Sequence, residues 1–139
     1  MNYEEWLMHF NKNHDPRNGQ FTSSDNAKAI VKSTKKAMKK GVFSSKSRKY
    51  VKDIKSRVDD AELNRLVENS RELFDEFRTA HMEWRRGLIT EKKMNAKFDA
   101  YNANNDAKIK RSKEIAKNIC NSIGIQDPQL EYKLALILR

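Results

Sequence analysis

Two long stripes of apolar residues constrain the fold of this chain more than any other feature of its sequence. Within residues 63–88, and again within residues 94–123, apolar side chains recur at intervals of three and four. This spacing places them on one face of an α-helix, and each stripe continues for at least about seven turns. Neither stripe can be buried without a partner, and only a few residues join the two. The pattern therefore predicts a long antiparallel helical hairpin.

The remaining composition favours further helices over strands. With 2 prolines and 4 glycines in 139 residues, the chain has too few turn formers for an all-β fold. Hydrophobic residues make up 37% and charged residues 35%, which suffices for one slim helical core. We expect an all-α fold with an N-terminal arm and tight turn over 1–23 and a single helical domain over 24–139. That domain comprises basic helices over 24–57, the hairpin over 59–124 and a C-terminal helix over 127–138, the basic and C-terminal helices forming the third layer.

Capping residues mark where these helices begin and end. Threonine, serine and aspartate at 22–25 offer N-caps for the first basic helix, and Gly41 lies where a C-cap belongs. Residues 59–62 have the character of a capping box, with aspartate in place of serine or threonine. Thr90 is suited to begin the second hairpin helix, and Asp-Pro at 127–128 to begin the last one.

Three less apolar residues lie on or beside the stripes. His81 is expected to be a packed, hydrogen-bonded core histidine. Asn105 falls on the second stripe, where a polar residue can fix the register of two helices at some cost in stability. Cys120 lies beside an apolar position and is interpreted as a small core residue.

The positive charge is concentrated in one segment. Residues 22–57 carry 12 basic and 2 acidic residues, an excess equal to the net charge of +10 on the whole chain. By contrast, residues 58–89 carry 5 basic and 8 acidic residues, and residues 90–139 carry 10 and 6. Lysines three and four apart on a helix repel each other. A local surplus of this size therefore indicates a contact surface for a polyanion such as nucleic acid.

The predicted polyanion-binding residues are the cations of the basic helices, a second cluster around Lys110, and an arginine pair beside Trp84. They are Lys28, Lys32, Lys35, Lys36, Lys39, Lys40, Lys46, Arg48, Lys49, Lys52, Lys55, Arg85, Arg86, Lys110 and Arg111. No helix-turn-helix, zinc-finger or basic-zipper pattern is present, so binding through shape or backbone is expected. Phe43 and Tyr50 lie among the cations, where each could stack on bases or pack in the core. The alternative is a lysine-rich solvated face that serves solubility.

Membrane and secretory roles find less support in the sequence. A basic amphipathic helix also suits an anionic membrane surface, but the apolar face of residues 27–38 lacks aromatic residues and favours burial in a protein core. No run of about 18 apolar residues is present, and the N-terminus is acidic where a signal peptide would be basic. A lone cysteine, Cys120, excludes an intrachain disulfide. We therefore expect a cytosolic protein without a membrane partner.

The histidines and carboxylates form no recognisable catalytic or metal-binding pattern. His9, His14 and Asp15 have a spacing that matches no standard zinc signature. His81 and Glu83 repeat the H-x-E of zinc deaminases without the P-C-x-x-C that completes the motif. No glycine-rich phosphate loop, nucleophile elbow or H-E-x-x-H is present. We expect a non-enzymatic protein with no catalytic residue, no metal and no cofactor.

The N-terminal arm combines a short aromatic segment with a turn-prone string. The residues concerned are Trp6, Leu7, His9, Phe10, His14, Asp15, Pro16, Gly19, Phe21, Thr22 and Ser23. In this arrangement they resemble a segment of small and minor-head proteins of tailed phages and prophages of Gram-positive bacteria, in which Gln20 is more often a basic residue. The resemblance implies a phage or mobile-element origin. Common roles of small proteins from that source are virion assembly, DNA handling and inhibition of host defences such as CRISPR effectors.

Two functions follow as hypotheses. In the first, an accessory protein of a phage or mobile element binds nucleic acid or a nucleoprotein through its basic helices, one form being an anti-CRISPR-like inhibitor of an RNA-guided effector. In the second, a virion-assembly or head-associated protein docks on capsid or portal protein through Trp6, Phe10 and Phe21. The first places the protein in the cytoplasm of a bacterial host, and the second adds association with the virion.

Overall fold

Helices dominate the computed structural model, which describes residues 23–139. Five α-helices and one short 3₁₀ helix account for 84% of the described residues, and no strand is present among them. The helices are α1 (Ser24–Lys40), α2 (Arg48–Arg57), α3 (Ala61–Arg85), α4 (Glu91–Ser122) and α5 (Pro128–Leu138), with the 3₁₀ helix Ser45–Ser47 between α1 and α2. The all-α prediction is confirmed. Residues 1–22 of the expected arm, with the predicted docking residues Trp6, Phe10 and Phe21, lie outside the described residues.

Four of the helices begin at side chains that the sequence marks as N-caps. Ser23, Asp60, Thr90 and Asp127 each accept a hydrogen bond from a backbone N–H in the first turn of the following helix. These bonds satisfy donors that have no partner inside a helix. Helix α1 ends at Gly41, whose φ of 83° is a conformation that residues with a side chain rarely adopt.

The hydrophobic core lies where α1, α2 and α5 meet the beginning of α3 and the C-terminal half of α4. Its fully buried apolar side chains are Ala27, Ile30, Ala37, Ile54, Ile115, Ala116, Cys120, Leu130, Leu134 and Ala135. The prediction that Cys120 is a core residue is confirmed. Burial, together with Glu131 and Asp127 nearby, raises the pKa of its thiol to about 11. The core therefore holds one side of α1 and α2 and leaves their other side to solvent.

The contacts between α3 and α4 run in opposite order along the two helices. Asp60, which caps the start of α3, is bonded to Arg111 in the second half of α4. Further along, the ring of Phe77 lies 5.0 Å from that of Phe98 near the start of α4, measured between centroids. Later positions in α3 thus meet earlier positions in α4, as the short connection between the two helices requires.

A polar residue does lie between these two helices, but it is Asn104 and not the predicted Asn105. The side-chain amide of Asn104 donates to the carbonyl oxygen of Leu66 at 2.9 Å and to Oγ of Ser70 at 3.1 Å. Asn105 is half-buried one position further on. Because one residue turns a helix by about 100°, the rotation of α4 about its axis decides which of the two bonds to α3.

The outer part of the α3–α4 pair is not covered by the other helices. Within residues 23–139, the backbone of α3 approaches that of α4 and of no other helix. Phe74, Trp84 and Phe98 are consequently 37% to 45% exposed, and His81 is half-buried beside the rings of Phe77 and Trp84. The expectation that a third layer covers both stripes is wrong for this part. Helices α1, α2 and α5 are too short, at 17, 10 and 11 residues, to follow α3 and α4 over 25 and 32.

Candidate polyanion-binding surface

Helix α1 separates an apolar side from a cationic one. Its buried residues, Ala27, Ile30, Val31, Thr34 and Ala37, recur at intervals of three and four. The hydroxyl of Thr34 donates to the carbonyl oxygen of Ile30 at 2.7 Å, so this polar group is not left unpaired in the core. The six lysines of α1 are all exposed. The apolar residues therefore fix the direction in which the lysines point.

A polar bridge centred on Asp53 joins α2 to α1. Oγ of Ser33 donates to Oδ2 of Asp53 at 2.7 Å, and Nε of Arg57 donates to Oδ1 of the same carboxylate at 3.1 Å. The Ser33 hydrogen bond lowers the pKa of Asp53, against the opposing effect of burial and with help from Arg57. The bridge fixes the rotation of α2 relative to α1.

Replacing Ser33 with alanine should raise the pKa of Asp53 toward its ordinary value of 3.8, because the carboxylate loses a donor. A depressed folded pKa contributes stability above the unfolded pKa, and this contribution is lost as the pH falls through the folded pKa. The variant should therefore lose less stability than the native chain on acidification through that range. Carboxyl NMR titration measures the pKa. Ser56→Ala is the control, since Ser56 donates to the backbone carbonyl of Asp53; an equal shift in both variants contradicts the assignment.

The turn between α1 and α2 holds an aromatic ring out in solvent. Oγ of Ser44 donates to the carbonyl oxygens of Lys40 and Gly41 at 2.7 and 2.8 Å, and Oγ of Ser47 donates to that of Gly41 at 2.6 Å. These bonds satisfy carbonyls that the end of α1 leaves without helical partners. Phe43, within this turn, is 80% exposed. Of the two sequence interpretations for Phe43, burial in the core is therefore excluded.

Lysines from both helices approach the aromatic ring of Tyr50. Nζ of Lys36 in α1 lies 5.7 Å from the Tyr50 ring centroid, and Nζ of Lys49 in α2 lies 5.1 Å from it. Both distances are within the range of cation–π attraction. The half-buried ring packs against the core on its other side. A single aromatic ring thus links the lysines of α1 with those of α2.

We define the cationic surface as the predicted cations of α1, the 3₁₀ helix and α2. They are Lys28, Lys32, Lys35, Lys36, Lys39, Lys40, Lys46, Arg48, Lys49, Lys52 and Lys55, and all eleven are exposed. Within the described part of the chain, none of the eleven forms an ion pair; the neighbouring Arg57 does, with Asp53. The structure thus brings most of the predicted set onto two adjoining helices with their charges directed to solvent.

Arg111 was predicted to bind polyanion, and this prediction is wrong. Its side chain is 6% exposed, and Nε and Nη2 donate to the two carboxylate oxygens of buried Asp60 at 2.8 and 2.9 Å. Glu62 and Glu114 lie 3.5 and 3.2 Å from the same guanidinium. A bidentate carboxylate pair of this kind occupies the donors that a phosphate would need. Arg111 therefore fastens α4 to the start of α3.

The other predicted cations lie apart from the cationic surface. Arg85 and Arg86 are exposed at the end of α3 beside Trp84, in the part of the molecule where α3 approaches only α4 among the described helices. Lys110 is exposed on α4. These three residues therefore lie outside the two helices and the turn that carry the cationic surface.

Two further expectations concern metals and membranes. Among residues 23–139, no three histidine, cysteine, aspartate or glutamate side chains are grouped so that they could hold a metal ion. His9, His14 and Asp15 lie outside this part of the chain. Within the same residues, none of the helices combines the length and the apolar character that a membrane span requires.

Other proteins offer no identity for this chain. Comparisons with models of protein families, with curated proteins and with solved structures found no match. No activity or partner is therefore transferred from a relative. The described residues themselves offer eleven exposed cations on α1, α2 and the 3₁₀ helix between them, with the exposed ring of Phe43 in the same connection.

Proposed function

We propose that this protein is a non-enzymatic accessory protein of a phage or mobile element that binds nucleic acid, free or within a nucleoprotein, through its cationic surface. The observation that carries the proposal is the exposure of all eleven cations of the cationic surface while the opposite sides of α1 and α2 are buried. Crowded lysines repel each other, and a polyanion removes that cost. The phage origin is supported by the resemblance of the N-terminal string.

The composition of the surface favours contact with phosphates over recognition of bases. Ten of the eleven cations are lysines, with Arg48 as the exception. Lysine acts as a compact point charge, whereas arginine offers the planar, bidentate donors that read guanine. Phosphate contacts position a protein on nucleic acid and carry no sequence information. Binding independent of sequence is therefore the expected mode.

A nucleoprotein presents the same phosphates as free nucleic acid. An RNA-guided effector holds its guide and target in such a form, so an anti-CRISPR-like inhibitor is one form of the proposed function. A pull-down with a purified effector complex tests it directly. Retention that disappears after nuclease treatment assigns the contact to nucleic acid, and retention that survives assigns it to the protein surface of the effector.

The affinity for nucleic acid should fall steeply as salt is raised. Each neutralised phosphate releases counterions, so about six contacts give a slope of about −5 in log K against log salt on duplex DNA. Fluorescence anisotropy with one labelled duplex at several KCl concentrations measures this slope. A slope shallower than about −1 corresponds to roughly one phosphate contact, which would contradict a role for the whole surface.

Replacing Phe43 with alanine should weaken binding to single strands by roughly tenfold, since stacking of one base on an aromatic ring contributes about 1–3 kcal/mol. A duplex of the same length keeps its bases stacked inside the helix and serves as the matched control ligand. The exposure of Phe43 means that the substitution removes little packing. Anisotropy titrations with both ligands give the two ratios. Equal losses on the single strand and the duplex would argue against stacking.

A further inference from the structure

A groove of about 880 Å³ lies where the ends of α2 and α5 meet the first half of α3 and the middle of α4. Its apolar walls come from Val58, Leu63, Val67, Phe74, Tyr101 and Leu138. The rings of Phe74 and Tyr101 lie 5.6 Å apart between centroids, one from each long helix. Phe74 is 45% exposed. The groove therefore presents aromatic and aliphatic surface that a second apolar segment can cover.

Cations surround these apolar walls. Lys55, Arg71, Lys108 and Arg139 line the groove, against two acidic residues, Glu68 and Glu72. Burial and the nearby charge of Arg139 lower the pKa of half-buried Lys108. Within residues 23–139 neither Lys108 nor Arg139 forms an ion pair, and Nε of Arg139 is buried without a hydrogen-bond partner. The groove thus carries four cations against two carboxylates, and this excess of positive charge favours an occupant that supplies negative charge.

The chain enters the described structure beside this groove. Nδ2 of Asn26 donates to the carbonyl oxygen of Arg57 at 3.1 Å, and Nη1 of Arg57 donates to Oδ1 of Asn26 at 3.1 Å. The start of α1 is therefore held against the end of α2, next to Val58 in the groove wall. Twenty-two residues precede Ser23, and a chain of that length can span up to about 70 Å. The groove is within their reach.

The sequence of this preceding segment matches the chemistry of the groove. Its residues 3–10 hold apolar Tyr3, Trp6, Leu7 and Phe10 together with acidic Glu4 and Glu5. Carboxylates between large apolar side chains complement an apolar groove lined by cations. Attachment to the same chain also raises the effective concentration of the segment to the millimolar range, which favours it over a second copy of the protein.

We propose that residues 3–10 dock in this groove, with their aromatic side chains against its walls and Glu4 and Glu5 beside Arg71 and Lys108. The inference goes beyond the proposed function, since it concerns a contact within the chain and involves no nucleic acid. It also accounts for the exposed ring of Phe74, which the described helices leave uncovered.

The test uses the full chain with Trp84→Phe, which leaves Trp6 as the single tryptophan. Docking should make acrylamide quench Trp6 much less effectively than in the urea-unfolded chain. Adding Arg71→Glu and Lys108→Glu should weaken docking by at least about twofold, since an exposed ion pair contributes about 0.2–1 kcal/mol, and should raise quenching. Arg65→Glu is the matched control, because Arg65 is exposed on α3 and does not line the groove. It should leave quenching unchanged.

Glu4→Gln with Glu5→Gln alters the segment alone and should also raise quenching, which keeps the test decisive if the groove variant fails to fold. The proposal would be overturned if acrylamide quenched Trp6 in the folded Trp84→Phe chain as effectively as in the urea-unfolded chain. Equal quenching in the groove variant and the Arg65 control would also overturn it. Protection of Trp6 that disappears on dilution would overturn it as well, since docking within one chain is independent of concentration.

Discussion

Replacing Lys32, Lys35, Lys36, Lys39 and Lys40 together with glutamine should lower nucleic-acid affinity at physiological salt on the order of 1,000-fold. In the proposed mode of binding, each lysine contributes a phosphate contact, and its counterion release is lost with the charge. All five side chains are exposed, and their removal relieves repulsion between like charges along α1. The fold should therefore be retained. Anisotropy titration gives the affinity, and circular dichroism with urea unfolding verifies the helices.

A matched control separates the position of the charges from their number. Replacing five exposed lysines of α4 with glutamine removes the same total charge from another helix. These lysines are Lys92, Lys93, Lys97, Lys113 and Lys117. This control should lose far less affinity than the α1 variant. If both variants weaken binding equally, net charge alone attracts the nucleic acid and the cationic surface has no special role.

Replacing Asp60 with alanine should lower the free energy of unfolding by at most about 3–5 kcal/mol, because the buried guanidinium of Arg111 loses its bidentate partner while Glu62 and Glu114 remain beside it. The same substitution removes the oxygen that accepts a hydrogen bond from Leu63 N at 2.9 Å, and loss of an N-cap costs about 1 kcal/mol. Urea unfolding at neutral pH, followed by circular dichroism, measures the change.

Two comparisons make this second prediction specific. Asp53→Ala removes a carboxylate from an ion pair whose side chains are both 38% exposed, and it should cost less than about 1 kcal/mol through that pair. The double variant Asp60→Ser with Arg111→Met keeps a capping hydroxyl and removes both charges, so it should recover much of the lost stability. A cost below about 1 kcal/mol for Asp60→Ala would show that the buried pair contributes no more than an exposed one.

Local features of this fold could be predicted from the sequence because their partners lie a few residues apart. An N-cap such as Thr90 or Asp127 bonds to a backbone N–H two or three positions later. The exposure of the lysines of α1 follows from the positions of Ile30 and Val31 on the same helix, since 3.6 residues form a turn. For this reason the helices and the cationic surface could be predicted from the sequence.

The features that the sequence did not predict depend on contacts between residues that are distant in the sequence. In the sequence, Arg111 lies within a cluster of cations, and nothing near it indicates that its partner is Asp60, 51 positions earlier. Asn104 and Asn105 differ by one position, and the rotation of α4 against α3 selects between them. The groove lined by Lys108 and Arg139 could not be predicted, because four helices assemble it and no local pattern marks it.

The outer part of the α3–α4 pair can unfold locally, because the other described helices do not cover it. Among the described helices, the backbone of α3 approaches only that of α4, so the outer turns of this pair can separate while the core stays intact. Such sub-global opening requires less free energy than complete unfolding. The connection at residues 86–90 is the tip of this section, and the exposed residues Gly87 and Leu88 are not part of the hydrophobic core. A foreign domain inserted there should leave the remainder of the molecule in place.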